Sequence, residues 1–168
     1  MKSGKLDIEA LITSGYLREF GGSGSVVIMI GDILGGSQAW TPHAEHLKNN
    51  WRVIGVSPVL VIEAAAGQIA SKSWGIPTES NALLLALETK SIEKVHLVGW
   101  SLGGVIALDF ALNNADRIKS LTLIEPPAWW LLQSTNRDST DLHPPAKWFE
   151  TFANKDTTEE SLVSFLRE

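Results

Sequence analysis

The residues of this sequence best suited to do chemistry are a serine and its neighbours in the pentad Gly99-Trp100-Ser101-Leu102-Gly103. A serine hydroxyl becomes a nucleophile when a base takes its proton and nearby backbone N–H groups stabilise the negative charge that develops. With 14 glycines in the chain, the pentad alone is a weak signal. Its interpretation depends on the elements on either side.

The flanking residues predict a strand that runs into the pentad, at 94–98, and a helix that runs out of it, at 102–113. A serine between such elements sits in a strained turn, where side chains two positions away would collide. Glycine at positions Gly99 and Gly103 relieves that collision. The helix points the positive end of its dipole at the serine, and the Leu102 amide can donate to an oxyanion. A glycine-rich turn that merely packs tightly or binds an anion is the alternative.

The rest of the chain predicts alternating strands and helices. Strands are expected at 16–20, 26–30, 51–56 and 120–124, the first two joined as a hairpin through a glycine loop. Helices are expected after Thr41-Pro42 and after Thr78, each with a threonine cap. Residues 59–77 are expected to form an irregular crossover. This alternation predicts an α/β fold, a mostly parallel twisted sheet with helices on both faces.

The composition excludes several classes of protein. The 168 residues carry a net charge of -5 and no basic run, which argues against a nucleic-acid surface. The absence of cysteine excludes disulfides, thiolate metal sites and cysteine nucleophiles. No nucleotide or flavin motif is present, so no cofactor is expected. Apolar stretches are too short to span a bilayer and no signal peptide is evident, which predicts a cytoplasmic protein.

Three segments together resemble the α/β-hydrolase fold family: VVIMIGDILGGSQAW, WRVIGVSP and VHLVGWSLGGVIALDFALNNADRIKSLTLIEPP. In this order they are similar to the family's strand with its oxyanion loop, its next strand, and its nucleophile elbow with the following helix and strand. The resemblance covers about residues 5 to 130. It implies a serine hydrolase for a small-molecule ester or related acyl substrate. Ser101 would be the nucleophile, and the amides of Leu102 and Asp32 the oxyanion donors.

The oxyanion loop departs from the family's pattern. Family members commonly have His-Gly where this chain has Ile30-Gly31, and the next residue is Asp32. A carboxylate pointing inward would oppose the negative charge that the loop should stabilise. Either the Asp32 side chain turns away or the site is poorer than its relatives.

The family's acid and histidine follow the serine along the chain. Glu125, directly after the predicted strand 120–124, and His143 have this order, and a complete enzyme could use them as acid and base. The family's later strands have no counterpart here, however, and His143 lies where a lid would begin. The leading hypothesis is therefore the N-terminal half of a serine hydrolase. A non-catalytic hydrolase-like module that binds a small apolar ligand or a partner protein is the alternative.

The other histidines predict no further chemistry. His43 and His46 form an H-x-x-H pair on one helix face without an evident third ligand, so surface positions and no metal are expected. His96, in the strand before the pentad, is expected to pack within the sheet.

The last part of the chain differs in character from the rest. Residues 1–125 are predicted to form the hydrolase-like core, and 126–168 a helical, lid-like or partial cap segment. Trp100 and Trp129 are candidates for binding an apolar acyl group. The predicted strand 120–124 would be an open apolar edge, which a C-terminal half, a second copy of the chain or the tail would cover.

Overall fold

The computed structural model describes residues 8–67 and 74–127. The strands are β1 (Leu17–Gly21), β2 (Val26–Ile30), β3 (Arg52–Val56), β4 (Val95–Trp100) and β5 (Ile118–Ile124). The α-helices are α1 (Ile8–Thr13), α2 (Thr41–Leu47), α3 (Val59–Ala65), α4 (Ile76–Thr89) and α5 (Leu102–Asn113), with 3₁₀ helices at Gly36–Trp40 and Ala115–Arg117. The contacts divide the chain at Pro127/Ala128, and everything beyond lies outside the described residues, including the predicted lid segment. The predicted boundary at 125/126 stays a prediction.

The strands form one sheet in the order β1-β3-β2-β4-β5. β2 pairs in parallel with both β3 and β4, and β4 pairs in parallel with β5. A strand flanked on both sides and covered on both faces is apolar throughout, which explains the sequence VVIMI of β2. The predicted mostly parallel α/β sheet is confirmed. Within the described sheet β5 is an edge strand, with Ser120, Thr122 and Ile124 exposed.

The predicted hairpin between the first two strands is wrong. Both strands form, but β1 pairs antiparallel with β3, with Leu17 opposite Val56. The two edges of β2 are already occupied by β3 and β4, so β2 has no backbone groups left to pair with β1. The glycine loop therefore crosses over the end of β3. Gly22, at φ +85 in this loop, contacts the Trp51 carbonyl so closely that no side chain would fit.

Helices cover both faces of the sheet, as predicted. The larger core layer joins the sheet to α1, α4 and α5, and its buried residues include Leu11, Ile28, Ile54, Leu83, Leu97, Ile106 and Phe110. The smaller layer lies beside α2 and buries Val27, Met29, Trp40, Ala44 and Val53. In the described part of the chain, no helix is both long and apolar enough to cross a membrane.

The predicted irregular crossover at 59–77 is wrong in part, because α3 occupies its first residues and α4 begins at Ile76, two residues before the predicted Thr78 cap. The reason is a tertiary contact. Glu79 of α4 accepts hydrogen bonds at its carboxylate oxygens from the Val59 amide, at 2.7 Å, and the Leu60 amide, at 3.0 Å. The carboxylate thus caps the first turn of α3 from a neighbouring helix.

The Thr41 cap is also not formed, although its helix is. Thr41 is the first residue of α2, and its hydroxyl donates to the Gln38 carbonyl at 2.8 Å. A preceding 3₁₀ helix leads directly into α2, so the chain is already helical where the cap was expected.

Glu79 is the most deeply buried carboxylate of the described residues, at 1% exposure. Burial raises its pKa above the usual 4.5, while the hydrogen bonds from Val59, Leu60 and the Trp74 indole lower the pKa and Glu63 raises it. Burial and the charge of Glu79 also raise the pKa of Tyr16 well above 10, so this phenol stays neutral. The ionised Glu79 therefore costs free energy in the folded state.

This cost predicts how stability depends on pH. A raised folded-state pKa means that the contribution of Glu79 is most favourable below pH 4.5, its ordinary pKa, and is lost as the pH rises through the folded-state pKa. We expect the unfolding free energy of the wild type, minus that of Glu79→Gln, to fall between pH 4 and pH 7 in urea titrations. For the control Glu88→Gln, at an exposed position of the same helix, the unfolding free energy should change with pH as it does in the wild type. A difference that stays constant or rises with pH would contradict this prediction.

Candidate functional site

Ser101 lies at the junction of β4 and α5 in an unusual backbone conformation, with φ 53° and ψ −121°. Residues with a side chain rarely adopt a positive φ, and the strain must be held by neighbouring structure. The Ser101 amide donates to the Ile124 carbonyl of β5 at 2.9 Å, and the Ser101 carbonyl accepts from the Gly104 amide at 2.9 Å. The neighbouring strand and the first helical turn therefore fix the serine from both sides.

The two pentad glycines are required by the space around this turn. A Cβ atom placed on Gly99 would collide with the Gly103 carbonyl, and one placed on Gly103 would collide with the Ile30 carbonyl and lie 2.6 Å from the Gly31 oxygen. The sequence predicts a collision at both positions of such an elbow. The second collision also shows that the first turn of α5 lies directly against the carboxyl end of β2.

The loop after β2 places Asp32 beside the elbow, since Asp32 follows Gly31 directly. Asp32 is 8% exposed, and its Oδ1 atom accepts from the Gly35 amide at 2.7 Å and from the Leu34 amide at 3.3 Å. The carboxylate is thus engaged by its own loop. Within the described residues, neither the Asp32 amide nor the Leu102 amide donates to the backbone of another segment, and the role of both as oxyanion donors stays a prediction.

A pair of serine hydroxyls anchors this loop to β3. Ser57 Oγ accepts from the Ser37 amide at 2.9 Å and donates to Ser37 Oγ at 3.0 Å, and both residues are buried. The Gly31 amide donates to the Val56 carbonyl at 3.0 Å. The sequence analysis missed this pair. The signal was available in Ser57, a polar residue directly after a parallel strand, where site residues gather in α/β sheets.

Glu125 lies near the elbow because the residue before it makes a backbone hydrogen bond to Ser101. It follows Ile124, whose carbonyl binds the Ser101 amide, and it has a φ of 45° and an exposed side chain. The structure thus brings Glu125 and Ser101 to adjacent strand ends, and the role of Glu125 as an acid stays a prediction. His143 and Trp129 lie outside the described residues.

Trp100 packs against another tryptophan beside the elbow. Its ring centroid lies 6.3 Å from that of Trp40 in an edge-to-face arrangement, and the His43 ring meets the Trp40 ring at 5.4 Å. Trp40 is buried and Trp100 half-buried within the smaller core layer. This packing gives Trp100 a structural contact, and its role in substrate binding stays a prediction.

The three histidines of the described residues each contact another residue, His43 through the Trp40 ring described above. The Nδ1 atom of exposed His46 lies 2.9 Å from the Pro42 carbonyl. The Nδ1 atom of His96 lies 2.8 Å from Ser120 Oγ, and its ring meets the Trp51 ring at 4.9 Å. Residues 8–67 and 74–127 contain no group of three or more His, Cys, Asp or Glu side chains that could hold a metal ion.

Comparison with known proteins gives a consistent result. The sequence profile of the alpha/beta hydrolase fold matches residues 25–165. A protein of Agrobacterium fabrum named as a carbamate hydrolase, RutD, is 32% identical over 103 residues, which cover 61% of this chain and 38% of that protein. A protein of Bacillus subtilis named as a carboxylesterase is 27% identical over 106 residues, or 62% of this chain and 34% of its own length.

Solved structures agree on the fold. A hydrolase from Pseudomonas aeruginosa superposes with a TM-score of 0.66 at 21% identity, over 89% of this chain and 52% of the other. The chain spans 38% and 34% of the length of the two curated relatives above.

The close contact between α5 and β2 predicts that adding a methyl group at Gly103 destabilises the fold. Gly103→Ala should lower the unfolding free energy by about 2–4 kcal/mol, because the Cβ atom meets two backbone carbonyls that cannot move independently. Gly75→Ala is the matched control. A Cβ atom there lies 3.6 Å from its nearest neighbour, Pro77, and the cost should stay below about 1 kcal/mol. If urea titrations show equal losses of unfolding free energy for the two variants, the α5–β2 contact can accommodate a methyl group and the prediction is wrong.

Proposed function

Because this chain belongs to the α/β-hydrolase fold family, as the profile match over residues 25–165 shows, we propose that it carries the nucleophile of a serine hydrolase for an ester or related acyl substrate. The observation that supports this most directly is the strained Ser101 turn, with φ 53° at the strand-to-helix junction. The names of two relatives, a carbamate hydrolase and a carboxylesterase, fit a substrate with a carbonyl group.

In the proposed reaction Ser101 Oγ attacks the carbonyl carbon of the substrate, and the carbonyl oxygen takes up the negative charge. The amides of Leu102 and Asp32 donate to this oxygen. Their N–H groups are fixed by the α5 first turn and by the loop anchored through Ser57, so no reorganisation is needed during the reaction. The leaving group departs, and water then hydrolyses the acyl-serine ester.

The attack requires a base that takes the Ser101 proton. Within the described residues, His43 packs against Trp40, His46 lies against Pro42 and His96 hydrogen-bonds to Ser120, so each has a contact other than Ser101. His143 is the base candidate that the sequence itself offers, with Glu125 as its acid partner. The chain spans 38% of the RutD relative, so in a protein of that length the base could equally come from sequence beyond these 168 residues.

We expect a fluorophosphonate to form a covalent adduct with the purified chain, detected as a mass increase by intact-mass spectrometry. The adduct should be lost in Ser101→Ala, because fluorophosphonates react with serines that have oxyanion donors and an activated hydroxyl. Ser120→Ala is the matched control, because Ser120 is hydrogen-bonded to His96 but lies within β5 rather than at the start of a helix, and it should label like the wild type. No adduct on a folded chain would contradict a complete enzyme that uses Glu125 and His143. It would leave the N-terminal half of a hydrolase or a non-catalytic module that binds a small apolar ligand or a partner protein.

The same assay assigns the base. A labelling rate that falls at least about a hundredfold in His143→Ala, with His46→Ala unchanged, identifies His143. An unchanged rate in His143→Ala excludes His143 and assigns the base to another group of the same 168 residues, since the assay contains no further sequence.

A further inference from the structure

We propose that Asp32 makes the site selective for the charge of its substrate. The site prefers a substrate that carries a cationic group over a neutral one of the same shape, and it disfavours an anionic one. This inference rests on the proposed function, because it concerns the substrate of the Ser101 site. It goes further, because neither the fold nor the elbow by itself specifies a charge.

The position of the carboxylate is the first step. Asp32 follows Gly31, whose carbonyl lies 2.6 Å from a Cβ placed on Gly103, and Gly103 is two residues from Ser101. The Gly35 and Leu34 amides hold Asp32 Oδ1 in place. The carboxylate therefore has a fixed location at the edge of the site rather than the mobility of a surface side chain.

The second step is that nothing in the described residues neutralises this charge. Backbone amides stabilise a carboxylate but leave its net charge in place. The ion pairs of the described residues join Lys48 to Glu45 and Arg52 to Glu19, and neither involves Asp32. The site segments 30–42 and 98–108 contain no lysine or arginine. Glu125, at the end of the adjacent β5, adds a second negative charge on the same side of the sheet.

The third step is the apolar surface beside the carboxylate. Ile33 and Leu34, the next two residues, are 44% and 52% exposed. A fixed negative charge beside exposed aliphatic side chains complements an amphiphilic cation, such as an ammonium group next to a short alkyl chain. At an effective dielectric constant of about 20, a unit charge within about 10 Å of another changes relative rates by about tenfold or more.

The test uses three phosphonylating probes of equal length that end in a trimethylammonium, a tert-butyl or a carboxylate group. The readout is the ratio of Ser101-dependent labelling rates, measured by intact mass on the wild type, Asp32→Asn and Asp116→Asn. Asparagine keeps the oxygen that accepts from Gly35 and Leu34, so Asp32→Asn removes the charge and retains the turn. Asp116→Asn removes the same charge at an exposed position of the 3₁₀ helix after α5 and is the matched control.

We expect the wild type to label fastest with the cationic probe and slowest with the anionic one, by about tenfold between neighbours in charge. The ratio should fall by at least about threefold in Asp32→Asn, persist in Asp116→Asn, and shrink in 1 M salt. Wild-type rates that do not depend on charge, or a preference that is undiminished in Asp32→Asn, overturn this inference while Ser101 labelling upholds the proposed function. The absence of Ser101-dependent labelling with every probe overturns the proposed function for this 168-residue chain by itself.

Discussion

The contact between the first turn of α5 and the carboxyl end of β2 is the constraint on which the site depends. Gly103 lies against the Ile30 and Gly31 carbonyls, and Gly99 lies against the Gly103 carbonyl, with no space for a side chain at either position. Because β2 is paired on both sides, it cannot move away to accommodate a larger residue. The strained conformation of Ser101 follows from this close approach, since the chain must turn from β4 into α5 within one residue.

Buried polar side chains hold the segments around this contact. Glu79 fixes the first turn of α3, Ser57 fixes the start of the 3₁₀ helix, and Asp32 fixes its own loop. Each of them accepts from backbone amides in buried or part-buried hydrogen bonds, and an amide left there without an acceptor costs more free energy than the hydrogen bond gains. The connections after β2 and β3 are therefore defined by specific acceptors, although they contain little regular structure.

The negative charge of Asp32 is linked to its role as a hydrogen-bond acceptor for its loop. A carboxylate is well suited to accept from two amides of a tight loop, as Asp32 does, but it brings a negative charge to a place where an oxyanion is proposed to form. Because the carboxylate accepts from amides of its own loop, the Asp32 N–H is left for the proposed oxyanion, and the negative charge stays in the loop that follows β2. Structural support and substrate selection would then come from one residue.

The local features of this protein could be predicted from its sequence. The apolar run of β2, the helical spacing of α5 and the glycines around Ser101 predicted the mostly parallel sheet and the elbow, because each is a property of neighbouring residues. Tertiary structure decided the rest. The pairing of β1 with β3 depended on which strand edges were free, and the helix α3 depended on Glu79, twenty residues from the amide it binds. The direction of the Asp32 carboxylate likewise depended on the loop that surrounds it, and such contacts leave no periodic pattern along the chain.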